Sequence, residues 1–471
     1  TSFEKNRKLF MHEVTNSIYP FFWQIAAMKR IERAKRLGRL AAPLATSQVS
    51  DMITVAADTV MVGALGTTAL AAVSLSASSA TILMLFGIGY NVAITPLVAS
   101  AWGKADLEGA RSALQAGARI SVIAALVLVA SMLAVSPFLS VLGAPADVTE
   151  AAIPYFRWYV GSFLFRLLFG IFKQTSEAIG NTKLPMLIAL TTNLLNIFCN
   201  WLLIWGIGGL PAMGVEGAGL ATFISRVVGL VIAWYLWKSL DGFRLLREAR
   251  SMREQVSSAA RKIWRSGTAI GAQITMEVVA FSAGGIMIGW IGATELASHQ
   301  VALNIGSITF MVALAGGSAA TVTVAQARGR SDWTEVRAEA FTAIVFVTMF
   351  ELVTALGIIL MRGILPAIYI DDPSVIALAG ILLIYVAAFQ LFDGVQAVGL
   401  GILRGLDDTK IPTLIAFCSY TLVALPLSYV LSTQTSLREQ GVWIGYVVAL
   451  VLASISYVIR IHQQTKKGQV S

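Results

Sequence analysis

The chain has 471 residues, of which 56% are hydrophobic and only 13% are charged. A soluble chain would carry about 25% charged residues. The apolar residues here are gathered in blocks of roughly 20, the length that a helix needs to cross a bilayer. This composition excludes a soluble globular protein and predicts an all-α integral membrane protein. The net charge of +9 lies mainly in segments between the apolar blocks, which is typical of basic inner loops, so we expect no nucleic-acid partner.

The first 39 residues contain a short apolar run, 18–28, followed by a cluster of basic residues. The run is shorter than the roughly 20 residues of a span, and the order of run and charges is not that of a signal peptide. We therefore expect a basic cytoplasmic segment, 1–39, that lies on the inner membrane surface. A leader added for expression is the alternative interpretation.

Twelve apolar spans follow, separated by turn-forming stretches such as 63–66 and 371–373. An even number of spans places both termini on one side, and most of the 35 Lys and Arg residues then lie on that side. Because inner loops are the basic ones, this side is predicted to be cytoplasmic, in a multi-pass protein of the inner (plasma) membrane. The predicted spans are 40–63, 69–101, 117–143, 151–173, 184–207, 215–238, 265–291, 296–327, 339–365, 374–403, 412–433 and 441–460.

An internal repeat relates the two halves of the chain. Residues 61–111 align with 287–337 without gaps, at an offset of 226, and the identities include Gly103, Asp106 and Arg111, which lie in or next to a loop. Shared apolar bias does not explain identities of this kind. The run TKLPMLIA at 182–189 likewise matches TKIPTLIA at 409–416.

Each repeat contains six spans, so both halves enter the membrane in the same orientation. That geometry leaves a cleft between two pseudo-symmetric six-helix lobes and suits alternating access. The predicted organisation is a first lobe at 40–238, a cytoplasmic linker at 239–264, a second lobe at 265–461 and a cytoplasmic tail at 462–471.

Three acids inside predicted spans are candidate site residues: Asp58 in span 1, Glu277 in span 7 and Asp393 in span 10. Acids in a membrane core are costly and are functional hypotheses by default. A desolvated carboxylate can hold a proton, a hard cation such as Na⁺ or a cationic substrate. Asp51 lies one heptad before Asp58, on the same helix face.

An internal ion pair is the alternative for these acids, with Arg166 and Arg226 as candidate partners in the first lobe. Under the repeat, Glu277 corresponds to Asp51, whereas Asp393 corresponds to Arg166. The second lobe therefore keeps two acids with no basic residue at these positions. We predict that Glu277 and Asp393 bind the coupling ion, with Na⁺ as one candidate.

Polar side chains near the acids extend this prediction. Asn193, Asn196 and Asn200 recur at helical spacing along one face of span 5. They are predicted to bind substrate or a proton together with Asp58, and hydrogen bonding between helices is the alternative. The predicted supporting residues are Asp51, Gln273, Gln300, Asn304 and Gln390.

The sequence contains no P-loop, no HExxH helix and no Cys–His cluster. ATP-driven transport on this chain and an intramembrane enzyme therefore lack support. We expect no enzymatic activity and no cofactor other than Na⁺ or H⁺ as the coupling ion.

Four segments resemble the multidrug and toxic compound extrusion (MATE) family, and the resemblance extends from about residue 40 to residue 461. They are 58–63 (DTVMVG), 214–222 (GVEGAGLAT), 297–304 (ASHQVALN) and 403–409 (LRGLDDT). The resemblance implies antiport of organic cations against Na⁺ or H⁺. Glu277 and Asp393 resemble the NorM branch, whose ion site lies in the second lobe, and Asp58 matches the family's acid of span 1. Phe389 stands where NorM-type proteins have a tyrosine, which leaves H⁺ coupling more open than Na⁺ coupling.

The predicted function is secondary active export of lipophilic, often cationic compounds by rocker-switch alternating access. The expected partners are these small molecules and membrane lipids, and the expected state is a monomer. A flippase for a lipid-linked precursor is the alternative. It needs a groove lined by basic residues, for which Arg157, Arg166 and Arg226 are the candidates.

Overall fold

A computed structural model describes the backbone of residues 2–142 and 144–470, and the side chains in these ranges except those of 2–28, 138, 141, 142 and 470. Throughout these ranges the regular secondary structure is helical. The α-helices are α1 (Ser2–Gly63), α2 (Thr67–Val92), α3 (Ile94–Gly103), α4 (Leu107–Val135), α5 (Ala146–Ala178), α6 (Lys183–Trp205), α7 (Gly214–Ser239), α8 (Arg244–Glu248), α9 (Arg253–Gly289), α10 (Ala293–Gly329), α11 (Trp333–Met361), α12 (Pro373–Gly405), α13 (Lys410–Ala416), α14 (Leu425–Thr433) and α15 (Arg438–Val470). Short 3₁₀ segments are Ser136–Leu142, Ile207–Gly209, Asp241–Phe243 and Pro366–Ile368.

Ten helical segments of the described chain are long and apolar enough to cross a membrane, which confirms a multi-pass α-helical membrane protein. The predicted spans 40–63 and 151–173 are not among the ten. Both are helical, within α1 and α5, but α1 carries Asp51 and Asp58 there, and α5 carries Arg157, Arg166 and Lys173. The exact number of twelve spans therefore remains a prediction, because charged residues interrupt the apolar stretches of these two helices.

Helix α1 continues without a break from Ser2 to Gly63, so the predicted basic segment and the predicted first span belong to one helix. Leu37 is buried in a cluster with residues of α10 and α11. The guanidinium of Arg33 donates to Glu335 at 2.7 Å. Side chains before residue 29 lie outside the described set, and the membrane-surface role of residues 1–39 stays a prediction.

The repeat is visible in the backbone as well as in the sequence. Asp106 caps α4 and Asp332 caps α11, each accepting the backbone N–H three residues further on, at 2.8 and 2.9 Å. The residues just before them, Ala105 and Ser331, both have a φ of 58°, in the left-handed region. The two loops are therefore the same turn with the same side-chain cap, which typically stabilises a helix by about 1 kcal/mol.

The two halves of the chain pack closely at the end that carries these loops. A Cβ atom on Gly329 would overlap the carbonyl oxygen of Ser100, and one on Gly103 would overlap that of Gln326. The side-chain amide of Gln326 donates across the contact to the carbonyl of Ala178 at 2.9 Å. Small residues permit backbones to approach this closely. The two halves are therefore in contact at the end whose loops carry Lys104 and Arg330, the basic end.

A π-helical stretch, Phe417–Ala424, joins α13 to α14. Pro426 follows it and has no N–H to pair with the carbonyl four residues earlier, which favours an irregular turn. Such wide turns occur frequently at functional sites. This one carries Tyr420, which is buried and directed at the second half's acids.

Candidate functional site: a central cavity with acidic walls

A cavity of about 830 Å³ lies between the two halves of the chain. Its volume falls in the range of roughly 300–1,000 Å³ that small-molecule sites occupy. Seven of the residues predicted from the sequence line it: Asp51, Asp58, Asn193, Asn196, Gln273, Glu277 and Asp393.

In the cavity wall formed by the first half, asparagines on one face of α6 donate hydrogen bonds to the acids of α1. Asn200 donates from Nδ2 to Asp58 Oδ1 at 2.5 Å. Asn193 donates from Nδ2 to Asp51 Oδ1 at 2.9 Å. Asn196, between them, donates to the Thr222 hydroxyl of α7 at 3.3 Å. The asparagine face therefore forms hydrogen bonds between helices and orients the acids, and binding of substrate or a proton by these asparagines stays a prediction.

Asp58 does not form the ion pair that the sequence offered as the alternative. No salt bridge of the described residues joins Asp58 to Arg166 or Arg226. Arg226 instead donates to the Ser162 hydroxyl at 2.6 Å and lies 5.4 Å from the ring centroid of Tyr159. The arginine influences Asp58 through its field only.

The wall formed by the second half contains Glu277 on α9 and Asp393 on α12. The Tyr420 hydroxyl donates to Gln396 Oε1 at 2.7 Å and lies 3.4 Å from Glu277 Oε1. Asp393 is 5% exposed and borders the cavity. Within the described part of the chain no group donates a hydrogen bond to it, and its ionisable neighbours Glu277 and Glu351 are also acids.

The repeat places an acid beside a donor in both walls. Asp51 with Asn193 in the first half corresponds to Glu277 with Tyr420 in the second, at offsets of 226 and 227 along the chain. The donor is an amide in one wall and a phenol in the other. The phenol of Tyr420 thus supplies a hydroxyl near the acids, although Phe389 lacks one.

The position of Arg404 differs from the sequence prediction, which placed no basic residue in the second wall. The predicted spans put this residue in a cytoplasmic loop, but it lies in the last turn of α12 and borders the cavity. Its Nη2 donates to Gln273 Oε1 at 3.2 Å, and its charge acts on Glu277. The second wall therefore contains one basic side chain that the repeat comparison did not include.

The other predicted site residues do not border the cavity: Asn200, Gln300, Asn304 and Gln390. Gln300 and Asn304 are exposed on α10 and do not border it, and Asn304 donates to the Gln300 carbonyl at 2.9 Å. Gln390 is 1% exposed and lies behind the wall. Phe389 borders the cavity and meets Trp443 edge-on, with ring centroids 5.9 Å apart.

Sequence reasoning missed Glu351, which lies in the apolar block 341–361 of α11. Its carboxyl is 1% exposed and accepts hydrogen bonds from Thr354 and Gln390, both at 3.0 Å. The signal that would have found it is the one that identified Asp58: an acid inside a predicted span.

Comparison with known proteins identifies the family. The MatE family profile matches residues 43–202 and 269–430, two stretches whose starts are 226 residues apart, as in the internal repeat. The chain is 30% identical over 454 residues to the probable multidrug resistance protein NorM of Agrobacterium fabrum, covering 91% of this chain and 94% of that protein. It is 29% identical over 449 residues to the multidrug resistance protein MdtK of Photorhabdus laumondii, covering 93% and 97%.

The fold agrees with solved structures. The crystal structure of the eukaryotic MATE transporter AtDTX14 superposes with a TM-score of 0.82 at 18% identity, over 93% of this chain and 98% of that one. A crystal structure of MATE in complex with MaD3S superposes with a TM-score of 0.83 at 20% identity, over 93% and 97%. With a family profile matched twice and a relative aligned over nearly its whole length, this chain belongs to the MatE family.

Proposed function

We propose that the protein is a secondary active multidrug exporter, which antiports lipophilic, often cationic compounds against Na⁺ or H⁺. The observation that carries the proposal is the state of Asp393: a buried carboxyl at the cavity, to which no described group donates a hydrogen bond and which no described cation pairs. The multidrug resistance names of the relatives support the same function.

A carboxylate in this position needs a cationic partner. Burying an ionised group without hydrogen bonds or a counterion is strongly unfavourable. A proton, a Na⁺ ion or the positive charge of a substrate can neutralise Asp393. Because one carboxyl cannot serve an ion and a substrate at once, binding of the coupling ion displaces the substrate, and this competition is the basis of antiport.

Glu277 and its neighbours complete the ion site in this proposal. Hard cations take oxygen ligands, and the Glu277 carboxylate, the Gln396 amide oxygen and the Tyr420 hydroxyl adjoin one another in the second wall. Asp58, oriented by Asn200, offers a second acid to a substrate or proton from the first wall.

Aromatic rings give the cavity affinity for lipophilic cations. A ring face attracts a cation within about 6 Å of its centroid, and the attraction strengthens when water is excluded. The rings that border the cavity are those of Tyr155, Tyr159, Phe169, Phe281, Phe310, Phe389 and Trp443.

Transport by alternating access follows from the packing of the two halves. We infer that the closed, basic end is cytoplasmic, so that this state faces outward. Rocking of two six-helix lobes would separate Gly103 and Gly329 from their contacts and open the cavity inward.

We further propose twelve spans, both termini in the cytoplasm, a plasma-membrane location and a monomeric state. Lipid would surround the exposed apolar side chains, such as Val353 and Leu360.

A lipid-linked precursor flippase is less compatible with the charges on the walls. Arg166, Lys173 and Arg226 border the cavity from the first half, but Asp51, Asp58 and Glu177 border it from the same half. A phosphate headgroup requires an excess of basic charge, and this wall is balanced.

The test compares acid and arginine variants in proteoliposomes. We expect Asp393→Asn and Glu277→Gln to abolish ion-driven transport of a fluorescent lipophilic cation, and the exposed linker variant Glu248→Gln to leave it unchanged. Loss of activity in Arg166→Ala and Arg226→Ala, with both acid variants active, would instead support the flippase.

A further inference from the structure

Glu351 lies close behind Asp393, on the far side of the cavity wall. It does not border the cavity. The position next to Asp393 is Gly394, and a Cβ atom there would lie 2.6 Å from Glu351 Cγ. The missing side chain at residue 394 thus makes room for the Glu351 carboxyl next to the helix backbone that carries Asp393, and the charge of Glu351 acts on Asp393.

Glu351 and Gln390 each keep one side-chain oxygen atom that has no hydrogen-bond partner. Oε2 accepts from the Thr354 hydroxyl and from Gln390 Nε2, both at 3.0 Å. Glu351 Oε1 and Gln390 Oε1 are both buried and without a partner. Both residues are 1% exposed, so bulk water does not reach these atoms.

The helices packed around Glu351 bring no positive charge to it. Helix α12 presents Asp393 and Gln390, and α10 presents Thr309, whose hydroxyl bonds to Gln390 Nε2. No Lys, Arg or His of the described residues, from these helices or from α1 and α15, pairs with Glu351. An ionised Glu351 would be a buried charge with no counterion, which proteins avoid.

One proton on Glu351 Oε1 removes the uncompensated charge and gives the two unpaired oxygen atoms a hydrogen bond. A carboxylic acid and a primary amide form a ring of two hydrogen bonds, in which the amide N–H donates to one acid oxygen and the acid O–H donates to the amide oxygen. The first of these bonds is present, from Gln390 Nε2 to Glu351 Oε2. A proton on Glu351 Oε1 would supply the second bond, with Gln390 Oε1 as its acceptor, and both of these atoms lack another partner.

We propose that Glu351 is a proton-binding site of the second half, paired with Gln390 and coupled to Asp393. Two adjacent carboxylates resist ionising together. Glu351 therefore keeps its proton while Asp393 is ionised, so that a cation that binds there meets one negative charge and not two. This role rests on the proposed antiport function, but the presence of the proton does not.

Infrared spectroscopy of the purified protein in lipid tests for the proton directly. At neutral pH we expect the carbonyl band of a buried protonated carboxyl in the unaltered protein, in Asp393→Asn and in the surface control Glu248→Gln. We expect Glu351→Gln, which can still form an amide ring with Gln390, to lose that band. A band of unchanged intensity in folded Glu351→Gln would overturn the proposal.

A second variant and a second readout make the test independent of folding and of transport. Gln390→Leu removes the amide partner, so the Glu351 band should shift in frequency; an unshifted band would contradict the pairing. Addition of tetraphenylphosphonium or of Na⁺ to the unaltered protein should leave the Glu351 band in place, and loss of the band on either addition would contradict this role. If the band behaves as expected but Asp393→Asn transports normally, the proton site stands and the proposed function fails.

Discussion

The contact at Gly329 should control which way the cavity faces. In the present state a Cβ atom at this position would overlap the Ser100 carbonyl oxygen of the other half. Gly329→Ala therefore destabilises this state only, because the contact has to separate when the cavity opens at its basic end. Gly103→Ala should act in the same direction, since its Cβ would overlap the Gln326 carbonyl oxygen.

The size of the effect follows from the cost of overpacking. Forcing extra atoms into a packed contact costs about 1–3 kcal/mol. A free-energy difference of this size changes a conformational equilibrium by about 5–150-fold. Gly329→Ala should raise the population that is open at the basic end by a factor in this range.

Spin-label distance measurements can count the two populations. Labels at positions 183 and 410, which begin the repeat-related helices α6 and α13 at the basic end, would be placed in a background with Cys199→Ala and Cys418→Ala. Gly357→Ala is the matched control, because a Cβ atom there would meet nothing within 4 Å. If Gly329→Ala and Gly357→Ala give the same distance distribution, the reasoning about this contact is wrong.

Further predictions concern single side chains of the site and of α1. Tyr420→Phe loses a hydroxyl that donates to Gln396, and the loss of about 1 kcal/mol of hydrogen bonding should weaken coupling-ion binding by roughly fivefold in a titration of ion-dependent transport. Asn200→Ala leaves Asp58 without its donor and should lower the midpoint of thermal unfolding and the affinity for a cationic substrate, whereas the exposed Asn304→Ala should change neither. Arg36→Ala removes the cation that pairs with the fully buried Glu339; it should destabilise the folded protein by about 1–3 kcal/mol, and addition of Glu339→Gln should recover part of this loss in thermal unfolding.

Local features of the site were accessible from the sequence. The asparagine spacing on α6 predicts a single polar face, and in the structure this face meets Asp51 and Asp58. The matching loops predict a duplicated turn, and Asp106 and Asp332 cap their helices in the same way. These features depend on helical periodicity and local capping, which a sequence encodes over a few residues.

Features that depend on packing between distant segments were not accessible. The hydroxyl of Tyr420 reaches Glu277 across 143 residues of sequence, and it does so from a π-helical stretch that no periodicity predicts. Arg404 changed from a loop to a cavity wall because the predicted end of its helix, residue 403, was two residues too early. Glu351 acquires its significance only when Gly394 places it beside Asp393.

The central claim is that substrate movement through this cavity is driven by exchange with a cation, and transport by the purified protein in lipid vesicles tests it most directly. A fluorescent lipophilic cation would be offered while a Na⁺ gradient and a pH gradient are imposed separately, in protein shown to be folded. We predict uptake driven by at least one of the two gradients and lost in Asp393→Asn; a response to Na⁺ would show that Phe389 does not exclude sodium. Uptake that follows neither gradient would contradict the account.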